Sequence, residues 1–137
     1  MLKRLSHASF GSTDLPRAVA FYRSMVGCQV AHEFKNAAGE TYGVFLDCGN
    51  GTFLEFFNEK APRPQPPGGL FRHICFEVGD LENVAARFRS AGHEVEIKRG
   101  RTDRILQFFV HDPDGIRIEF QQHDAESVLL PYIRGDK

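Results

Sequence analysis

The chain has 137 residues, 42% hydrophobic and 26% charged, with 17 Lys and Arg against 18 Asp and Glu for a net charge of -1. That is one domain's length, with apolar content sufficient for a buried core. The balanced, scattered charge excludes a nucleic-acid footprint and a polybasic membrane patch, and the apolar runs are far shorter than a membrane span.

Residues 1–6 lack the apolar stretch of a signal peptide. Three widely spaced cysteines, Cys28, Cys48 and Cys75, make neither a disulfide framework nor a CxxC zinc site. A reducing cytoplasm is the expected location, and Cys75 reads as a small buried hydrophobe.

In chain order, a first strand through 5–10 leads to a helix over 15–26. Its apolar face is Leu15, Ala18, Val19, Tyr22, Met25 and Val26. Asp14 or Thr13 caps its start, Pro16 is tolerated in the first turn, and Gly27 suits a left-handed end. Strands follow at 28–35, 41–48 and 52–58, joined by turns at Ala38-Gly39 and Gly49-Asn50-Gly51. Residues 60–69 hold four of the seven prolines and read as a semi-rigid linker. A second set begins with a strand over 72–78 and a helix over 81–91, capped by Asp80, faced by Leu81, Val84, Ala85 and Phe88, and stopped by Gly92. Strands are predicted at 94–98, 104–110 and 116–122, the last after a Pro113-Asp114-Gly115 turn. In the tail, 123–137, one or two helical turns are expected over 127–133, interrupted by Pro131.

The two sets are copies. A Leu opens each helix eight residues after a His (His7 to Leu15, His73 to Leu81), and each set ends in Gly-x-x-x-Glu-Phe, at Gly51–Phe56 and Gly115–Phe120. From His to Glu is 48 residues in the first copy and 46 in the second. The expected fold is therefore α+β: a single domain over 1–137 made of two tandem βαβββ modules, at about 3–59 and 70–122. Their strands form a curled mixed sheet around a metal-lined cavity, with the helices on the outer face.

Side chains alternate faces along a strand. Ser6, Ala8, Phe10, Leu54 and Phe56 take the helix side in the first module, as do Ile74, Phe76, Val78, Ile116, Ile118 and Phe120 in the second. His7, Glu55, His73 and Glu119 then face away from the helices, as do Ser9, Cys75, Glu77 and Arg117. Two imidazoles and two carboxylates form an N2O2 set suited to one divalent Ni, Co, Fe, Mn or Zn ion. Such an ion stabilises an enediolate oxyanion while a carboxylate, Glu119 or Glu55, takes a proton. Phe53, Phe57 and Phe109 are candidates to line a substrate pocket, with core packing the equal alternative. Arg117 is a candidate substrate contact or a partner for a facing Glu. A lone His on a strand is usually structural, so His32, His93, His111 and His123, outside the repeated pattern, read as surface or turn residues. There is no Gly-x-Ser-x-Gly motif and no phosphate-cradling loop.

The opening Leu5-Ser6-His7, the segment from Asp14-Leu15 through Ala20-Phe21-Tyr22 to Val26-Gly27, Arg72-His73-Ile74, and Asp112-Pro113-Asp114-Gly115 leading to Ile118-Glu119-Phe120 resemble the vicinal oxygen chelate superfamily. The resemblance spans about residues 3–122 and is specific for the superfamily more than for any member. The superfamily includes glyoxalase I, fosfomycin-resistance transferases, methylmalonyl-CoA epimerase, ring-cleaving dioxygenases and bleomycin-resistance proteins. A His–Glu–His–Glu set is that of bacterial-type glyoxalase I, whereas the epimerases typically carry Gln where Glu55 stands. The resemblance thus implies a lactoylglutathione lyase-like activity on the hemithioacetal of methylglyoxal and glutathione, with Glu119 as base and Glu55 its symmetry-related partner. It implies a substrate-holding role for Arg101, with Arg104 nearby. Two positions depart from that pattern: Gly11 stands where an Arg helps hold glutathione, and Glu59 where an Asn is usual. The alternatives are another metal-dependent enzyme of the superfamily (epimerase, dioxygenase or thiol transferase) and a non-catalytic binding or resistance protein. Open sheet edges that need cover suggest a homodimer.

Overall fold

In the computed structural model, which describes residues 1–61 and 69–136, two aspartates open the helices. Asp14 accepts the backbone N–H of Arg17 ahead of α1 (Leu15–Phe21), and Asp80 accepts that of Asn83 ahead of α2 (Leu81–Ser90). Each satisfies a donor that a helix start leaves open. The expected α-helix over 15–26 is not α-helical throughout: its last part, Tyr22–Val26, is a π turn. There the carbonyl of Tyr22 accepts from both Gly27 and Cys28, while the Ser24 hydroxyl donates to the carbonyl of Ala20 at 2.8 Å. Both contacts divert acceptors from the regular ladder. Gly27, at φ 98°, then ends the turn in the left-handed region.

The chain divides into two compact units, Met1–Gly69 and Leu70–Lys137. The first holds β1 (His7–Ser12), β2 (Gln29–Lys35), β3 (Thr41–Asp47) and β4 (Phe53–Asn58), in the order β1-β4-β3-β2. The second holds β5 (Ile74–Glu77), β6 (Lys98–Arg99), β7 (Leu106–His111) and β8 (Arg117–Gln122), in the order β5-β8-β7-β6. In each, the first strand pairs parallel with the last and the remaining pairs are antiparallel. The fold is α+β, with two mixed four-stranded sheets built by tandem βαβββ modules. The linker expected at 60–69 falls mainly on residues outside the described ones.

Three expectations need correction. The strand foreseen at 94–98 is reduced to Lys98–Arg99, because the Val95 carbonyl is taken by the Arg89 guanidinium (3.1 and 3.0 Å) instead of a neighbouring strand. The strand foreseen from 104 starts at Leu106, because Arg104 sits at φ 61°, outside any strand conformation. Pro131 does not interrupt the tail helix but opens it: α3 (Leu130–Ile133) has the proline in its first turn, where no N–H is required.

The core of each unit is one helix face against alternate residues of the central strands. Leu15, Ala18 and Tyr22 lie over Val44, Leu46, Leu54 and Phe56; Leu81, Ala85 and Phe88 lie over Phe108, Val110, Ile118 and Phe120; all are buried. The Tyr22 and Phe56 rings are 4.9 Å apart, and Phe88 and Phe120, at matching positions, 5.4 Å. No described helix is long and apolar enough to cross a membrane.

The tail is latched to the loop before β7. Arg99 donates to both Asp124 oxygens (3.0 and 2.7 Å), Arg104 to Glu126 (2.6 Å), and the Val128 N–H to the Asp103 carbonyl (3.0 Å). The Arg99 hydrogen bonds, with its charge beside them, hold the Asp124 carboxyl down at about 2. An unfolded Asp titrates at about 3.9, so the latch contributes fully above that pH and fades as the pH falls toward 2. Limited proteolysis is expected to release the tail at pH 2.5 faster than at pH 5, and Arg99→Met to remove this difference. A tail equally protected at both pH values would show that the pair does not hold it.

Candidate functional site

The alternating pattern of β1 and β4 decides where the first pair of polar residues points. In β1, His7, Ser9 and Gly11 are exposed while Ala8 and Phe10 are half-buried. In β4, Leu54 and Phe56 are buried on the helix side, leaving Phe53, Glu55 and Phe57 on the other. Ser9 is opposite Glu55 in the parallel ladder, so His7 precedes the partner of Glu55 by two residues on the same face. In the second unit Cys75 is opposite Glu119, and His73 again precedes that partner by two. The register relation of His to Glu is therefore the same in both modules.

The two pairs differ in their contacts. His73 Nε2 stands 2.8 Å from Glu119 Oε2, with both side chains largely buried (29% and 10% exposed). The His73 Nδ1 atom is buried with no hydrogen-bond partner among the described residues, a ring nitrogen left over of the kind a bound group or water satisfies. No described hydrogen bond or ion pair joins His7 to Glu55; His7 Nδ1 lies 3.3 Å from the Ser6 hydroxyl. Among the described residues no group of three or more His, Cys, Asp or Glu side chains stands close enough to hold a metal ion.

Each histidine rests edge-on against a phenylalanine. His73 meets Phe109 at 5.3 Å and His7 meets Phe45 at 5.5 Å. Both phenylalanines are opposite their module's glutamate in the antiparallel ladder, Phe45 to Glu55 and Phe109 to Glu119. Sequence reasoning found Phe109 but missed Phe45, although each lies ten residues before its Glu. The modules diverge one position on. Phe53 packs on Phe45 at 6.0 Å, whereas its counterpart Arg117 lays its guanidinium over Phe109, 3.9 Å from the ring centroid. Phe57 joins Phe34 (5.3 Å) and Tyr42 (6.1 Å) on the same face of the first sheet. The open face of the first sheet is thus aromatic, while that of the second carries a positive charge over its phenylalanine.

The remaining candidates are distributed as follows. Arg104 is bound to Glu126, and Arg101 is exposed in the same loop. Cys75 is exposed, not a buried hydrophobe, because alternation puts it on the open face with His73. Desolvation, then the charge of and hydrogen bond to Glu119 and the charge of Glu77, push its thiol up to about 12, so it stays protonated. His123 is not a plain surface residue: it is half-buried, 3.0 Å from the Gln121 amide, with a buried Nδ1 that has no described partner. The two-residue period 119, 121, 123 was the available signal. The two departures at Gly11 and Glu59 form one feature: a Cβ on Gly11 would sit 3.1 Å from the Glu59 Cβ and 3.2 Å from its Oε2.

Residues 4–120 match the model of the Glyoxalase/Bleomycin resistance protein/Dioxygenase superfamily. The chain is 28% identical over 134 residues to a probable lactoylglutathione lyase of Vibrio parahaemolyticus, covering 93% of this chain and 96% of the relative. It is 29% identical over 136 residues to the human mitochondrial methylmalonyl-CoA epimerase, covering 88% and 74%. The crystal structure of a glyoxalase family protein from Enterococcus faecalis superposes with a TM-score of 0.72 at 25% identity, covering 87% and 97%.

Proposed function

The chain belongs to the Glyoxalase/Bleomycin resistance protein/Dioxygenase superfamily, and on that premise we propose that it is a metal-dependent lyase or isomerase of glyoxalase type, moving a proton next to a substrate carbonyl. The observation that carries this reading is the His73–Glu119 pair, 2.8 Å apart, at register positions that the other module repeats with His7 and Glu55. An imidazole nitrogen and a carboxylate oxygen this close are donors that one divalent cation would accept as neighbouring ligands. His73 and Glu119, with His7 and Glu55, would hold one divalent Ni, Co, Zn, Fe or Mn ion. Such an ion supplies Lewis acidity to a carbonyl oxygen.

The protein's own part is the proton and the grip. Glu119, 8% exposed, is the base that takes the proton from the carbon beside the carbonyl. Glu55 is its symmetry-related partner. Arg117, with its guanidinium over Phe109, meets an anionic group of the substrate, while Phe53, Phe57 and Phe109 line the apolar part. This reading carries a lactoylglutathione lyase-like activity in a cytoplasmic homodimer, whose second copy covers the open edge strands.

A second reading, a carbonyl substrate not carried on glutathione, is favoured by Gly11 and Glu59. The Glu59 carboxylate fills the space a longer side chain at 11 would need, and it repels an anionic tail. Equilibrium dialysis against Ni, Co, Zn and Mn, followed by a methylglyoxal assay with and without glutathione, tests both. We expect one ion per His–Glu–His–Glu set and at least about tenfold weaker binding in His73→Ala. No bound ion would sink both readings. A loaded protein that is inactive on the glutathione adduct would leave only the second.

A further inference from the structure

The first unit carries a pair of thiols that the proposed chemistry does not use. Cys28 follows the π turn, just before β2, and Cys48 follows β3. Their sulfurs lie 3.7 Å apart, across 20 residues of chain. Gln29 and Asp47 are partners in the β2–β3 ladder, so Cys28 and Cys48 stand at the next position, at the open end of the hairpin. Neither backbone N–H crosses between them: that of Cys28 goes to the Tyr22 carbonyl and that of Cys48 to the Thr52 carbonyl. A facing pair that exchanges no backbone bonds has its Cα atoms about 4.5 Å apart, within the disulfide range of about 4.4–6.8 Å. A modest side-chain rotation closes the gap.

We propose that Cys28 and Cys48 are a redox-active dithiol that closes to a reversible disulfide across the open end of the β2–β3 hairpin. The oxidant is a low-molecular-weight disulfide. Cys48 is half-buried and reachable, and Cys28 is 3% exposed. The contact between the two thiols, in which either sulfur can donate, lowers the pKa of Cys48, while the same contact and burial raise that of Cys28. Cys48 is therefore the attacking thiolate and Cys28 the resolving thiol. Cys48 sulfur bonds to one sulfur of the oxidant and expels the other as a thiol. Cys28 then loses its proton and attacks the Cys48 sulfur, expelling the second small thiol. The two cysteines lose two electrons and the oxidant becomes two thiols. The bond clamps the hairpin that carries Phe34 and Phe45, the aromatic wall beside His7.

Equilibration of the folded protein in graded cystine–cysteine mixtures, acid trapping, alkylation and peptide mass mapping test the proposal. The expected result is a ratio-dependent loss of two of the three thiols, a linked Cys28–Cys48 peptide pair, an alkylated Cys75, and full recovery with dithiothreitol. Cys28→Ser should instead hold cysteine on Cys48 as a mixed disulfide. Because Cys28 is buried and its replacement can unfold the unit, Cys48→Ala gives the complementary arm: Cys28 stays unmodified in the folded protein. Full alkylation of both residues in the most oxidising mixture, a bond involving Cys75, or linkage only after denaturation would overturn it.

Discussion

Replacing Glu119 by Gln is expected to lower turnover of the metal-loaded protein by about 10²–10⁴-fold, the contribution of a positioned general base. Gln has almost the same shape, so the site tests proton chemistry and not packing. Glu119 is buried and receives His73 at 2.8 Å, a contact an amide oxygen can also accept. Metal affinity should therefore fall only in part, and the unfolding midpoint should shift little. The comparison needs the steady-state rate at saturating metal alongside a direct metal-binding isotherm. A variant with unchanged turnover would place the base elsewhere, with Glu55 the next residue to replace. A variant that loses metal and rate together would make Glu119 a ligand alone.

The largest effect on stability is expected from Phe120→Ala, at about 3–5 kcal/mol. Phe120 is 1% exposed and lies at the centre of an aromatic cluster, 5.2 Å from Phe108, 5.4 Å from Phe88 and 5.7 Å from Phe76. Removing the ring loses its transfer free energy and leaves a cavity that three rigid neighbours cannot fill. Because a domain has only about 5–15 kcal/mol in total, this change takes away a large part of it. Urea unfolding followed by circular dichroism measures the cost. Phe56→Ala, at the matching place in the first unit and 0% exposed, should cost a similar amount. A loss below about 1 kcal/mol at Phe120 would mean the helix–sheet packing is not what stabilises that unit. Glu119 is the next residue along the strand, so the pair of variants separates the two faces of β8: one carries stability, the other the proposed chemistry.

Much of this was legible because the information is local and repeated. Two-residue alternation assigned Leu54, Phe56, Ile118 and Phe120 to the helix side, and their burial follows it. Asp14 and Asp80 announced helix starts because capping depends on one side chain and a nearby N–H. The duplicated His-to-Leu and Gly-to-Glu spacings disclosed the tandem modules before any tertiary contact was known. What spacing could not show were contacts between residues distant in sequence. The strand expected at 94–98 has the right composition, but Arg89 of the preceding helix takes its carbonyl. Arg104 read as a candidate substrate contact beside Arg101, yet Glu126 of the tail binds it.

The sequence by itself determined the α+β class, the two βαβββ modules, the core faces and the sheet face on which His7, Glu55, His73 and Glu119 lie. All of these follow from periodicity and repetition along one chain. Only the tertiary structure decided that His73 and Glu119 stand at hydrogen-bond distance while no described hydrogen bond or ion pair joins His7 to Glu55, that Phe45 and Phe109 brace the two histidines, and that Cys28 faces Cys48. Each of these depends on strand register and side-chain rotamer. Register is set by how whole strands pair, and rotamers by how neighbours pack, so neither can be read from one residue's place in the chain.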